Sequence, residues 1–95
     1  MFIHIVFFKF KNIKDCPAAK HRIESMIGKV QSLQSLEVGI DVVRSGRSWD
    51  MVLDTRFKDQ AGYEAYAKHP IHLEVLKWLK QAVLESATVD YLKER

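Results

Sequence analysis

The run Phe2-Ile3-His4-Ile5-Val6-Phe7-Phe8-Lys9-Phe10 is rich in β-branched and aromatic residues and reads as a strand. Side chains alternate across a strand, so Ile3, Ile5, Phe7 and Lys9 share one face, and His4, Val6, Phe8 and Phe10 the other. Both faces are mostly apolar. A strand with one wet face alternates apolar with polar; this one needs cover on both sides. The His4/Val6/Phe8/Phe10 face is expected to be the one without helices, buried when two sheets pair about a two-fold axis.

The rest of the chain says what supplies the other cover. Asp15-Cys16-Pro17 marks a helix start. Ala19, Ile23, Met26, Ile27, Val30 and Leu33 recur at helical spacing and predict a helix of about 15–17 residues, with Gly28 packed close on the sheet. Residues 36–43 and 49–57 read as strands joined by the turn Arg44-Ser45-Gly46-Arg47-Ser48, an antiparallel hairpin. In the second of these, Trp49, Met51, Leu53 and Phe57 form a core face, while Asp50, Val52, Asp54 and Arg56 face solvent or a polar cavity. Asp59 can cap a short helix ending at Lys68. Residues 70 to about 84 form the next helix, with Leu73, Leu76, Leu79 and Val83 on its buried side. Residues 87–92 are the last strand, before the charged tail Lys93-Glu94-Arg95. The order β-α-β-β-α-α-β predicts an α+β fold, a ferredoxin-like antiparallel sheet with helices on one face, in a single domain over residues 1–95.

A chain of 95 residues buries only about 60–65% of its unfolded surface, yet 47% of these residues are hydrophobic. That surplus again predicts a homodimer. The net charge is +3, but lysines and acids are interspersed along the chain, which excludes a nucleic-acid footprint. No apolar run reaches the roughly 18 residues of a membrane span. The N-terminus has neither a basic region nor a small-residue cleavage site, so a cytoplasmic location is expected. Cys16 is the only cysteine and has no disulfide partner in the chain. Its place at a helix start would favour a thiolate somewhat, but a plain free thiol is the expectation.

Chemistry concentrates in Tyr63-Glu64-Ala65-Tyr66-Ala67-Lys68-His69-Pro70-Ile71-His72. Tyr63, Tyr66 and His69 are three apart and would align along one side of a helix. Pro70 stops that helix and can open the next, because its missing N–H is not needed at a first helical position. His69 is then a candidate cap, and His72 falls in the first turn. A cation is disfavoured there, so His72 should be a neutral imidazole able to accept a proton. Tyr66 is a candidate hydrogen-bond donor to a carbonyl, or a buried tyrosine bonded to the backbone. His4 is either an interface histidine or a pocket-lining one. His69 and Trp49 are weaker ligand-binding candidates; packing accounts for both. His69-x-x-His72 is broken by Pro70 and has no completing acid or cysteine, so no metal site is expected. With no Gly-rich phosphate loop, no cofactor is expected either.

These segments together resemble the stress-responsive A/B barrel family of the dimeric α+β barrel superfamily, over nearly the whole chain. The resemblance rests on His4-Ile5-Val6-Phe7-Phe8-Lys9-Phe10, on Trp49-Asp50-Met51-Val52-Leu53 with Phe57, on Tyr66, His69, Pro70 and His72 as Tyr-x-x-His-Pro-x-His, and on Val89-Asp90-Tyr91. It implies a dimeric α+β barrel. It also implies, from polyketide-cyclase-like members, a pocket between sheet and helices bordered by Tyr66, His72 and His4. Three functions are compatible with it: binding of a small apolar molecule without turnover, cofactor-free cyclisation or enolisation with His72 as base and Tyr66 as acid, and a monooxygenase-like activity.

Overall fold

The computed structural model describes residues 1–94; Arg95, the end of the expected charged tail, lies outside them. Strand β1 (Phe2–Phe10) leads through a 3-10 turn (Ile13–Asp15) into helix α1 (Cys16–Glu24). Strands β2 (Ser35–Ile40) and β3 (Met51–Phe57) follow, then helices α2 (Gln60–Lys68) and α3 (Pro70–Ala82), and strand β4 (Val83–Leu92). The sheet order is β2-β3-β1-β4, and every neighbouring pair is antiparallel. This is the ferredoxin-like α+β fold that the sequence predicts.

The two faces of β1 are used the other way round from the expectation. Phe2, Val6, Phe8 and Phe10 are buried in one cluster with Ala19 and Ile23 of α1, Tyr66 of α2 and Val75 and Leu79 of α3. That face lies under the helices. The face without helices carries Ile3, Ile5, Phe7 and Lys9, flanked in register by Arg56, Asp54 and Val52 of β3 and by Tyr91, Val89, Ala87 and Glu85 of β4. The reason is steric and chemical together. The even positions hold three large aromatics that only a helix layer can enclose in one subunit, whereas the odd positions include Lys9, whose ammonium must reach water.

Several boundaries also differ. Helix α1 spans 9 residues because the chain tightens into successive turns after Ser25, and Gly28 takes φ 80. That left-handed backbone suits glycine and lies beyond the helix end, among the turns that follow it. A Cβ on Gly28 would meet nothing within 4 Å, so close packing on the sheet is not its role. Met26 and Val30 still reach the core through the turns, but Ile27 is exposed. Strand β2 stops at Ile40 because the Asp41 carboxylate accepts the Arg44 backbone N–H and turns the chain, leaving Val42 and Val43 in solvent. On α3 the buried residues are Val75, Leu79 and Ala82, and Leu73 points outward. Strand β4 begins at Val83, four residues before its expected start, since β-branched Val83 adopts extended dihedrals and pairs with Phe10.

One buried carboxylate fixes the end of the sheet. Asp50 accepts the Phe10 N–H at 2.8 Å and the Arg44 guanidinium at 2.7 Å. Burial works against its charge, but these two donors outweigh it and hold the carboxyl below its ordinary range. Arg44 itself sits at φ 55, a strained position that the two carboxylates Asp41 and Asp50 hold in place. Cys16 is buried nearby, and burial, with Asp50 adding, pushes its thiol up; the helix start does not make it a thiolate.

Candidate functional site

The α2–α3 corner places the site. Asp59 caps α2 through the Gly62 N–H at 2.9 Å. His69, extended as a residue before proline must be, ends α2 and caps α3, its Nδ1 accepting the Ile71 N–H at 3.1 Å. Pro70 opens α3, and His72 swings back over α2, where its Nδ1–H donates to the Ala67 carbonyl at 3.1 Å. Tyr66, 1% exposed, lies against it with ring centroids 4.2 Å apart.

Strand β1 brings the third group. His4 lies on the helix face of the sheet, directly opposite Asp90 of β4 in register, and its Nδ1 is bonded to the Asp90 carboxylate. Tyr63 packs on the His4 ring at 4.8 Å and stacks on Phe2 at 5.0 Å. The Asp90 bond fixes both the tilt of the His4 ring and its tautomer when neutral, leaving Nε2 as the free nitrogen.

His4, Tyr66 and His72 all line one cavity of about 210 Å³ between the sheet and the helices. Its remaining wall is mostly apolar, from Val6 and Leu53 on the sheet to Ile23 and Val75 on the helices and Met26 on the turns after α1. Ser86 and Thr88 of β4 add hydroxyls at one side. His69 and Trp49 do not line it. His69 is occupied as a helix cap. Trp49 sits on the other side of the sheet, against Phe7 at 6.4 Å and beneath the Lys9 ammonium at 4.8 Å.

Electrostatics separates the roles of the lining groups. Burial pushes the His72 pKa below the ordinary imidazole range; the Ala67 carbonyl opposes this, and nearby His4 and His69 add to it. His72 is thus a neutral imidazole with its Nε2 lone pair available. Burial, with Tyr63 adding, raises the Tyr66 phenol far above its usual range, so it stays a proton donor. An imidazole that accepts and a phenol that donates, on one apolar cavity, are suited to hold a carbonyl or hydroxyl oxygen and to move a proton beside it.

Asp90 is the site residue that sequence reasoning passed over. The period of β4 places it on the same face as Ser86 and Thr88, but only the pairing register sets it opposite His4. Among the described residues no group of three or more His, Cys, Asp or Glu could hold a metal ion.

Residues 2–93 match the stress responsive A/B barrel domain family. Among solved structures, a dimeric ferredoxin-like protein of unknown function from Bacteroides fragilis is 28% identical, with 95% of this chain and 93% of that chain covered and a TM-score of 0.84. A protein of the same domain family from Mesorhizobium loti is 19% identical, covering 99% and 97% of the two chains at a TM-score of 0.75. The hydroxynitrile lyase from Passiflora edulis is 16% identical, covering 98% and 93% at a TM-score of 0.84. No curated protein matches the sequence. The fold, the matched residues and these relatives agree: the chain belongs to the stress responsive A/B barrel domain family.

Proposed function

We propose that the chain is a homodimer in which each subunit binds one small, mostly apolar molecule carrying a carbonyl or hydroxyl oxygen. The observation that carries the reading is the single cavity lined by His4, Tyr66 and His72 over an apolar wall. A few convergent polar groups on an apolar concavity are the usual anatomy of a small-molecule site. The dimer rests on the sheet face without helices, where Phe7 is 38% and Val89 57% exposed. The Bacteroides fragilis relative is described as dimeric, which supports the same assembly here. Calorimetric titration with small ketones and phenols is expected to give one site per chain. No binding by either class at millimolar concentration contradicts the reading.

A second reading, a cofactor-free enzyme that enolises or cyclises a carbonyl compound, is favoured by the tethering of both imidazoles at Nδ1. Each ring is held by one nitrogen and presents the other, which is the preorganisation a proton transfer needs. His72 Nε2 takes the proton beside the carbonyl, and the Tyr66 hydroxyl donates a hydrogen bond to the developing enolate oxygen. While the proton sits on His72 Nε2 it exchanges with D2O, and His72 then delivers a deuteron to the enolate carbon, so solvent deuterium replaces the original hydrogen. Deuterium exchange into a bound methyl ketone, followed by NMR, is expected to fall about 10²–10⁴-fold in His72→Ala. Equal exchange in the two proteins contradicts the base role and leaves the binder.

A further inference from the structure

Among the described residues, the two most exposed aliphatic side chains are neighbours. Val42 is 88% and Val43 76% exposed, in the connection between β2 and β3. That connection is not slack. The Asp41 carboxylate accepts the Arg44 backbone N–H, and the Arg44 guanidinium donates to Asp41, to the Trp49 carbonyl and to Asp50. Ser45 and Ser48 close the far side of the turn. These bonds hold two valines out in water, where a lone subunit gains nothing from their apolar surface. A knob fixed in this way has little ordering entropy to lose on docking.

The open sheet face says what the knob docks on. Four strands about 4.8 Å apart and averaging about 26 Å in length present roughly 500 Å² in projection. A stable dimer buries about 800 Å² per partner. The open face also carries Lys9, Glu37, Asp54, Arg56 and Glu85, so pairing of the two faces leaves a shortfall of apolar contact. When two such sheets pair about a two-fold axis along the strands, β2 of each lies over β4 of the other with the same end up. Met51 at the start of β3 and Ser86 near the start of β4 both flank Phe8 in register. The Val42-Val43 turn of one subunit therefore arrives at the β4 start of its partner. A hollow of about 270 Å³ lies there, walled by Leu76, Leu79, Val83 and Leu84, with Lys80 and Glu85 beside them. It sits at the free edge of the sheet, and Leu84 is 62% exposed. The hollow adjoins the ligand cavity and shares Phe8, Leu76, Leu79 and Ser86 with it.

Resting on the homodimer reading above, we propose that the Val42-Val43 turn is a docking arm for a second copy of this chain. It reaches round the free edge of β4 and seats in the partner's hollow between α3 and β4. The arms are exchanged reciprocally, so each subunit closes the outer side of the other's cavity.

The test co-expresses the single variants Val43→Cys and Leu84→Cys and treats the mixture with a short bis-maleimide. Both positions are exposed, whereas Cys16 is buried and out of reach of the reagent. A covalent dimer is expected in the mixture and in neither variant alone, because the arm meets the hollow and not its own symmetry mate. Cross-linking in either variant alone overturns the arm and leaves the homodimer. So does its absence from the mixture while the unmodified protein sediments as a dimer. An unmodified chain that sediments as a monomer at micromolar concentration overturns both. The double variant Val42→Ser, Val43→Ser keeps the core intact and is expected to weaken dimerisation at least about tenfold, with an unchanged circular dichroism spectrum. A smaller loss overturns the arm.

Discussion

At the scale of single residues, the chemistry is set by what each side chain is tied to. His72 and His69 are three positions apart, yet one lines the cavity and the other caps a helix. Pro70 makes the difference, because it forces His69 into an extended backbone and starts a new helix direction for His72. The folded pKa of His72 is depressed relative to an unfolded imidazole of about 6.5. Its neutral form therefore stabilises the fold above that pH. The contribution is lost as pH falls through the lower folded value, because the unfolded chain takes up the proton first. NMR titration of the imidazole carbons is expected to place the His72 midpoint below those of histidines in free peptides. A midpoint above about 6.5 would contradict both the burial argument and the neutral base.

At the scale of elements, the Asp50 corner shows how one carboxylate joins β1, β3 and the β2–β3 connection. Asp50→Asn removes the charge that holds Arg44 and is expected to cost about 1–3 kcal/mol near neutral pH. Because the Asp50 carboxyl is held below its ordinary range, its contribution is present above about pH 4 and fades as pH falls through the folded value. Denaturant midpoints of the two proteins should therefore converge in acid; a gap that stays constant down to about pH 2 would contradict this account. The elements themselves were legible from periodicity. The helix α3, the alternation of β3 from Met51 and the Tyr66-to-His72 corner appear where the sequence puts them, although the buried stripe of α3 is Val75, Leu79 and Ala82 and Trp49 lies on the opposite face from Met51. What escaped were features that depend on a partner strand or a backbone angle. Gly28 reads as a packing glycine inside a long helix, but it lies beyond the helix end, at a positive φ among the turns that follow. Asp90 is visible in the sequence only as part of Val89-Asp90-Tyr91, since its role depends on lying across from His4, 86 residues earlier in the chain. The face choice of β1 was ambiguous because both of its faces are apolar, and alternation alone does not say which one the helices cover.

At the scale of the whole molecule, the helices cover one face of the sheet and leave Ile5, Phe7, Val52 and Val89 on the other. Phe7→Glu should therefore disrupt the proposed dimer and yield a folded monomer, since the side chain already reaches the subunit surface. Phe8→Glu, one residue on, should unfold the chain, because it places a charge in the helix-side core at a cost of several kcal/mol. Sedimentation and circular dichroism together separate the two outcomes, and a dimeric Phe7→Glu protein would contradict the sheet-face interface. The central claim, however, is that His4, Tyr66 and His72 serve one ligand cavity. The most direct test is to follow the ring carbons of all four histidines by NMR while titrating in a small methyl ketone. The account predicts saturable shifts at His4 and His72, with His21 on α1 and the capping His69 little changed. Shifts confined to His21 and His69, or none that saturate at any of the four, would contradict it.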